Sequence, residues 1–146
     1  MTCSYIVAID NTYPLVTNFI EQLINVIAAN DEIIIVIDAC NNIDTIYYLE
    51  KAAKKNSQIK LIHLEKKVGF SGSNNIAINN ASGDTIIFIN SDIFLENNCI
   101  ENMLNLLWSD EKIAAVQPML IYPQNNLIQS TGHVFSDYRS GQLFSM

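Results

Sequence analysis

Short apolar runs alternate with longer amphipathic segments along this chain. The apolar runs, several of them rich in β-branched residues, predict strands over residues 5–9, 32–37, 59–64, 85–89 and 114–122. Apolar residues recur at helical spacing between them and predict helices over residues 15–30, 44–55, 75–81 and 98–109. Such alternation is typical of parallel strands joined by right-handed crossovers, with helices on both faces of the sheet. The pattern therefore predicts a Rossmann-like α/β fold.

The composition fits one folded domain over residues 1–146. Hydrophobic residues make up 49% of the 146 positions, which is enough to bury a core and excludes disorder as the main state. The formal net charge is -7 at pH 7, and this argues against a nucleic-acid partner, which would require a basic face. The N-terminus lacks the features of a signal peptide, and Cys3, Cys40 and Cys99 form no closely spaced pair. We therefore expect reduced thiols in a cytoplasmic protein.

Three carboxylates directly follow predicted strands, at Asp10, Asp38 and Asp92. Ligands of parallel sheets bind outside the carboxyl ends of the strands, so these side chains are candidates for a site. Grouped like charges repel each other unless a cation or hydrogen-bond donors meet them. Mg²⁺ or Mn²⁺ carried in with phosphates would relieve that repulsion. Helix capping is the alternative role for each single Asp, because Asp is common where a strand leads into a helix.

A small polar segment over residues 69–74 is the second candidate feature, and we expect it to be a loop before a short helix. Its glycines permit close backbone approach, and the following helix offers free N–H groups to an anion. The segment matches neither the dinucleotide-binding fingerprint nor the Walker loop. A plain turn explains it equally well.

Five segments in order resemble the N-terminal half of the family 2 glycosyltransferases, which have the GT-A fold. They read IVAIDN at 6–11, FIEQL at 19–23, EIIIVID at 32–38, GFSGSNNIAI at 69–78 and ASGDTIIFINSD at 81–92. The Gly-Phe segment and the strand that ends in Asn-Ser-Asp carry most of the resemblance. They are most similar to the rhamnosyltransferase-like branch, where Asn often replaces the first Asp of the DxD motif.

The resemblance implies a donor site for a UDP- or dTDP-sugar. The nucleotide-binding residues that it implies are Ala8, Asp10, Asn11, Asp38, Gly69, Gly72, Asn75 and Asn90. Among them, Asp38 would hydrogen-bond the base, whereas Asp92 would hold Mn²⁺ or Mg²⁺. The chain departs from the family at Lys67, where an Asn is usual.

The resemblance also implies the reaction, which is metal-dependent and inverting transfer of a hexosyl or rhamnosyl group to the hydroxyl of a glycan or lipid-linked acceptor. Such an enzyme of polysaccharide biosynthesis would be cytoplasmic or peripheral at the inner face of a membrane. The family's general base lies in an acceptor half, and Asp137 is the one acid after residue 123 that could replace it. We therefore expect a truncated, donor-binding half whose exposed apolar surface near the fifth strand favours a homo-oligomer.

Two other classes of protein share parts of this pattern. A receiver-type signalling domain also carries acids at strand ends, but it needs a phosphoacceptor Asp after its third strand and a Lys after its fifth. Here those strands end in Leu64-Glu65 and Tyr122-Pro123, which disfavours that class. A non-catalytic nucleotide-binding or assembly module derived from the glycosyltransferase fold stays open.

Overall fold

The computed structural model describes residues 1–10, 13–136 and 139–142. The chain divides into two compact units, residues 1–95 and residues 96–146. The first unit contains β1 (Cys3–Ile9), α1 (Leu15–Val26), β2 (Glu32–Asp38), α2 (Ile43–Lys55), β3 (Ile59–Leu64), α3 (Gly69–Ile78) and β4 (Thr85–Phe88). The predicted alternation of strand and helix is therefore confirmed here.

One four-stranded sheet organises the first unit, with the strand order β3-β2-β1-β4. All its pairings are parallel, and the register places Tyr5 beside Ile33 and Ile37 beside His63. Strands β3 and β4 lie at the two edges of the sheet, and a helix separates each strand from the next along the chain. The carboxyl ends of the strands consequently lie along one rim of the sheet and their amino ends along the other.

The core lies on both faces of this sheet. Every residue of β2 is buried, which explains why its sequence is a continuous apolar run and not an alternating one. On one face, Ile6, Ile34 and Val36 pack in a cluster with Ala77 of α3. Side chains on the opposite face of the same strands are also buried, and α1 buries a stripe at helical spacing that includes Phe19.

Two helix starts differ from the sequence prediction. The segment predicted as a loop over residues 69–74 is the first part of α3, which begins at Gly69. Helix α2 is capped by Asn42, whose side chain accepts a hydrogen bond from the Thr45 N–H at 2.9 Å. The sequence favours Asp44 or Thr45 as the cap, and Asn42 serves instead because its short side chain reaches the same free N–H groups.

The second unit contains α4 (Cys99–Leu107), β5 (Leu120–Ile121), β6 (Ile128–Ser130), β7 (His133–Ser136) and β8 (Arg139–Gln142). The predicted strand over residues 114–122 is wrong, since only β5 forms there, and it pairs antiparallel with β6. Pro118 lacks an N–H and interrupts the apolar run that suggested a longer strand. Apolar side chains around β5 are exposed, as expected; they are Met119, Ile121 and Tyr122.

The three cysteines are unpaired in the structure. Among the helices within the described ranges, none has both the length and the apolar character that a bilayer crossing requires.

Candidate functional site

A cleft of about 170 Å³ opens at the carboxyl ends of β1 and β2. The residues that line it are Ala8, Ile9, Asp10, Asp38, Lys67, Gly69, Phe70 and Ser73. Four of them are nucleotide-binding residues predicted from the sequence, namely Ala8, Asp10, Asp38 and Gly69. The cleft thus lies where ligands of parallel α/β sheets bind, and it brings together residues from β1, β2 and α3.

Asp38, the last residue of β2, holds the start of α3. Its Oδ1 accepts a hydrogen bond from the Val68 N–H and its Oδ2 from the Gly69 N–H, both at 2.8 Å. The side chain is buried, and its negative charge lies at the positive end of the helix dipole. Gly69 has φ +78°, a left-handed conformation that glycine adopts without steric cost. Each carboxylate oxygen keeps a further lone pair, so Asp38 can still accept a bond from a ligand.

An ion pair between Asp10 and Lys67 lies at the exposed side of the cleft. The hydrogen bond and the negative charge of Asp10 raise the pKa of the Lys67 ammonium. Lys67 therefore stays protonated at neutral pH and supplies a positive charge beside two carboxylates. Lys67 is a residue at which the sequence departs from the family pattern, and it is not among the site residues predicted from the sequence.

Ser73 and Phe70 are two further lining residues; they lie in the candidate segment 69–74, although neither is among the individually predicted site residues. Ser73 lies one turn into α3, and its hydroxyl is buried without a hydrogen-bond partner. Phe70 has its ring exposed to 64% at the start of the same helix. The sequence predicts a loop for their segment, whereas their positions in the cleft depend on α3 beginning at Gly69.

The other predicted site residues lie elsewhere or outside the described residues. Asn90 and Asp92 are exposed just after β4, and neither is among the residues that line the cleft. Gly72 packs inside α3, where an added Cβ would meet the Val68 side chain at 2.9 Å. Asn75 lies further along α3 and lines a separate groove. Asn11 and Asp137 fall outside the residues that the structure describes.

The side chains that could ligate a metal near Asp92 determine which kind of ion this residue could hold. Within the described ranges, His, Cys, Asp and Glu side chains form no group of three or more that could enclose an ion. Asp92 contributes one carboxylate, and Asn90 is exposed two residues before it. Mg²⁺ is usually bound by one or two carboxylates together with substrate phosphates. One carboxylate does not enclose an ion, so an ion at Asp92 would need further ligands, such as the phosphate oxygens of a substrate.

Comparison with known proteins adds a family match over nearly the whole chain. The family described as "Glycosyl transferase family 2" matches residues 4–144. The chain is 36% identical over 101 residues to EpsH of Bacillus subtilis (strain 168), by its name a proposed glycosyltransferase. That alignment covers 69% of this chain and 29% of EpsH.

Solved structures share the fold at low sequence identity. The mannosyltransferase PcManGT from Pyrobaculum calidifontis, in complex with GDP-Man and Mn²⁺, has a TM-score of 0.72 and 18% identity over 84% of this chain. S. aureus TarS 1-349, in complex with UDP-GlcNAc, has a TM-score of 0.65 and 23% identity over 73% of it. The likeness confirms the predicted GT-A fold. This chain covers only 36% and 31% of those two proteins.

Proposed function

Because this chain belongs to glycosyl transferase family 2, we propose that it binds a nucleoside diphosphate sugar at the carboxyl ends of β1 and β2 and transfers the sugar to an acceptor hydroxyl. The observation that carries the proposal is the cleft itself, where Ala8, Asp10, Asp38 and Gly69 come together. Structural neighbours with bound GDP-Man or UDP-GlcNAc support a nucleotide-sugar donor. Since the chain spans about a third of those proteins, the complete reaction is part of the proposal.

The residues of the cleft have different roles in the proposed donor binding. The small side chain of Ala8 leaves room for a base or ribose, and Asp38 fixes the start of α3 while keeping acceptor capacity for a base N–H. We infer a UDP- or dTDP-sugar, because the imide N–H of uracil or thymine suits a carboxylate acceptor. We also propose that the chain belongs to the rhamnosyltransferase-like branch of the family. The donor would be contacted in addition by Asn11, Gly72, Asn75 and Asn90.

Charge balance accounts for the proposed role of Asp92. Mn²⁺ or Mg²⁺, when bound, supplies positive charge that stabilises the leaving diphosphate. Asp92 would hold the ion, and the neutral Asn90 would add a ligand or hydrogen bond without adding negative charge. Lys67 contributes a fixed positive charge at the cleft, although it shares that charge with Asp10.

The acceptor and the stereochemistry that we propose are those that the family resemblance implies. We propose a glycan or lipid-linked acceptor in polysaccharide biosynthesis, with inversion at the transferred sugar, and a location in the cytoplasm or at the inner face of a membrane. An inverting transfer needs a carboxylate to take the proton of the attacking hydroxyl. Asp137 is the candidate for that base within this chain. Self-association would cover the exposed apolar side chains around β5.

Thermal unfolding with UDP, dTDP and GDP, each with and without Mn²⁺, tests donor binding. A nucleotide at about 100 times its dissociation constant stabilises the folded state by roughly 2.7 kcal/mol. We expect Asp92→Ala to lose the Mn²⁺-dependent part of that shift. The matched control is Glu50→Ala, which removes an exposed carboxylate from α2 and should leave the shift intact.

Three outcomes would count against the proposal or a part of it. An undiminished Mn²⁺-dependent shift in Asp92→Ala would remove Asp92 from the site. If none of the three nucleotides shifts the unfolding temperature, donor binding itself is refuted for this chain. Nucleotide binding without transfer or hydrolysis of an added UDP-sugar would favour the non-catalytic module.

A further inference from the structure

A second groove runs between α3 and the edge strand β4, and we propose that it binds the ring of a neutral glycan acceptor. Its volume is about 360 Å³. The residues that line it are Phe70, Ser71, Asn74, Asn75, Ile78 and Phe88. This inference rests on the proposed sugar transfer and adds the chemical class of the acceptor and the surface that holds it.

Two exposed aromatic rings give the groove its apolar walls. Phe70 at the start of α3 is 64% exposed, and Phe88 at the end of β4 is 54% exposed. Exposed rings so close together leave apolar surface in water that a ligand could cover. A sugar ring presents an apolar face of C–H groups, which packs against an aromatic ring, while its hydroxyls stay at the edges.

Polar groups that suit hydroxyls lie along the same helix. Ser71 and Asn75 are exposed on α3 and line the groove. The Asn74 amide donates to the Phe70 backbone carbonyl at 2.9 Å, which fixes the orientation of this side chain. Hydroxyl and amide groups both donate and accept, as sugar hydroxyls do. This combination of rings and amides matches a carbohydrate better than a purely apolar ligand.

The absence of charge from the lining narrows the class of ligand further. None of the six groove residues has an ionisable side chain that is charged at neutral pH. A phosphorylated or acidic acceptor would lose hydration here without gaining a cation, at a cost in free energy. The groove is therefore suited to a neutral sugar, in contrast to the donor cleft, which contains Asp10, Asp38 and Lys67.

Continuity with the donor cleft makes this groove useful for transfer. Phe70 lines both the cleft and the groove, so the two cavities share one wall. Phe88 belongs to the strand that leads to Asn90 and Asp92. Sugar transfer requires the acceptor hydroxyl to be held next to the reacting carbon of the donor, and adjacent sites provide that proximity.

Saturation-transfer NMR on the 146-residue chain tests the groove, with cellobiose and N,N′-diacetylchitobiose as neutral probes and glucose 6-phosphate as the charged comparison. We expect a neutral disaccharide to bind and Phe88→Ser to weaken its binding about tenfold, because truncation of a central aromatic contact typically costs more than a kilocalorie per mole. Ile78→Ser tests the same groove from α3. Tyr47→Ser is the matched control, since Tyr47 is an exposed aromatic residue on α2.

The variants are compared only when their circular dichroism and unfolding temperature match those of the parent, and Ile78→Ser serves if Phe88→Ser does not fold. UDP binding with Mn²⁺ is measured on the same samples. If UDP binds but neither disaccharide does, or if both groove variants bind them unchanged, the acceptor groove is refuted while the donor site stands. If the parent chain binds none of UDP, dTDP and GDP, the proposed function is refuted instead. Preferential binding of glucose 6-phosphate, or a dimer that either groove variant abolishes, would also overturn the glycan assignment.

Discussion

The two rims of the parallel sheet both carry carboxylates but use them differently. At the amino ends of the strands, the acids are Asp31, Glu32 and Asp84, and each accepts hydrogen bonds from backbone or side-chain donors. At the carboxyl ends, Asp38 is held by the backbone, Asp10 pairs with the exposed side chain of a lysine, and Asp92 is exposed. The acids of the first rim thus join elements together, whereas on the second rim Asp38 alone does so and Asp10 and Asp92 stay exposed.

Glu32 illustrates the structural use of a carboxylate. Its Oε1 accepts hydrogen bonds from the Ser4 hydroxyl at 2.6 Å and from the Ser82 N–H and hydroxyl at 2.6 and 2.7 Å. Its Oε2 pairs with the Lys60 ammonium at 2.5 Å. Although burial opposes the charged form, the bonds from Lys60, Ser4 and Ser82 lower the pKa of Glu32 to about 2. One side chain therefore joins β1, β2, β3 and the turn before β4.

The largest effect on stability is expected for Glu32→Gln. The amide cannot accept the same set of hydrogen bonds and leaves Lys60 without its partner, so the free energy of unfolding should fall by roughly 3 kcal/mol. Denaturant unfolding measures this loss, with Glu50→Gln on α2 as the matched control. A loss below about 0.5 kcal/mol, the usual size for surface substitutions, would show that the network contributes little.

The same network predicts the response to acid. A carboxyl whose folded pKa is lowered stabilises the fold above its unfolded pKa of about 4.5, and this contribution disappears as the pH falls through about 2. The parent chain should therefore lose stability across that window, and Glu32→Gln should lose less. Parallel curves for the two proteins would contradict the lowered pKa of Glu32.

A smaller loss of stability is expected for Asp38→Asn on the other rim. The amide would set an N–H₂ group against one of the N–H donors of Val68 and Gly69, at a cost of about 2 kcal/mol. Hydrogen exchange should then be faster at the start of α3 than at its end. Asp92→Asn is the control, and equal stability of the two variants would mean that Asp38 does not hold α3.

The smallest effect is expected for Lys67→Gln. Its ion pair with Asp10 is exposed, and such pairs contribute little to stability, so the unfolding free energy should stay within error. The affinity for UDP should fall about threefold at low salt and less at high salt, because a screened positive charge is lost. Lys51→Gln on α2 is the control. An effect that is independent of salt would refute the electrostatic role of Lys67.

The sequence predicted the parallel sheet well, because buried β-branched runs identify its strands directly. Predicted and observed bounds of β1 to β4 agree to within two residues at each end. The rule that ligands bind at carboxyl ends then placed Asp10 and Asp38 at the same rim, and both line the cleft. Local pattern and topology were sufficient for these residues.

The start of α3 shows why the rest of the site could not be predicted. Glycine and serine disfavour helices, so the local pattern of residues 69–74 predicts a loop. The hydrogen-bond acceptor at the start of the helix is the Asp38 carboxylate, which lies about thirty residues earlier in the chain. Because this contact is tertiary, no local pattern shows it, and the positions of Phe70 and Ser73 follow from it.

The two ends of β2 together constrain α3. Asp38, the last residue of the strand, holds the first residue of the helix, and Glu32, the first residue of the strand, holds Ser82 shortly after the helix ends. The segment from Gly69 to Ser82 is thereby fixed to both ends of the strand. Insertion or deletion of a single residue between 33 and 37 would break one of these two hydrogen-bonded contacts. This segment should therefore tolerate changes of side chain far better than changes of length.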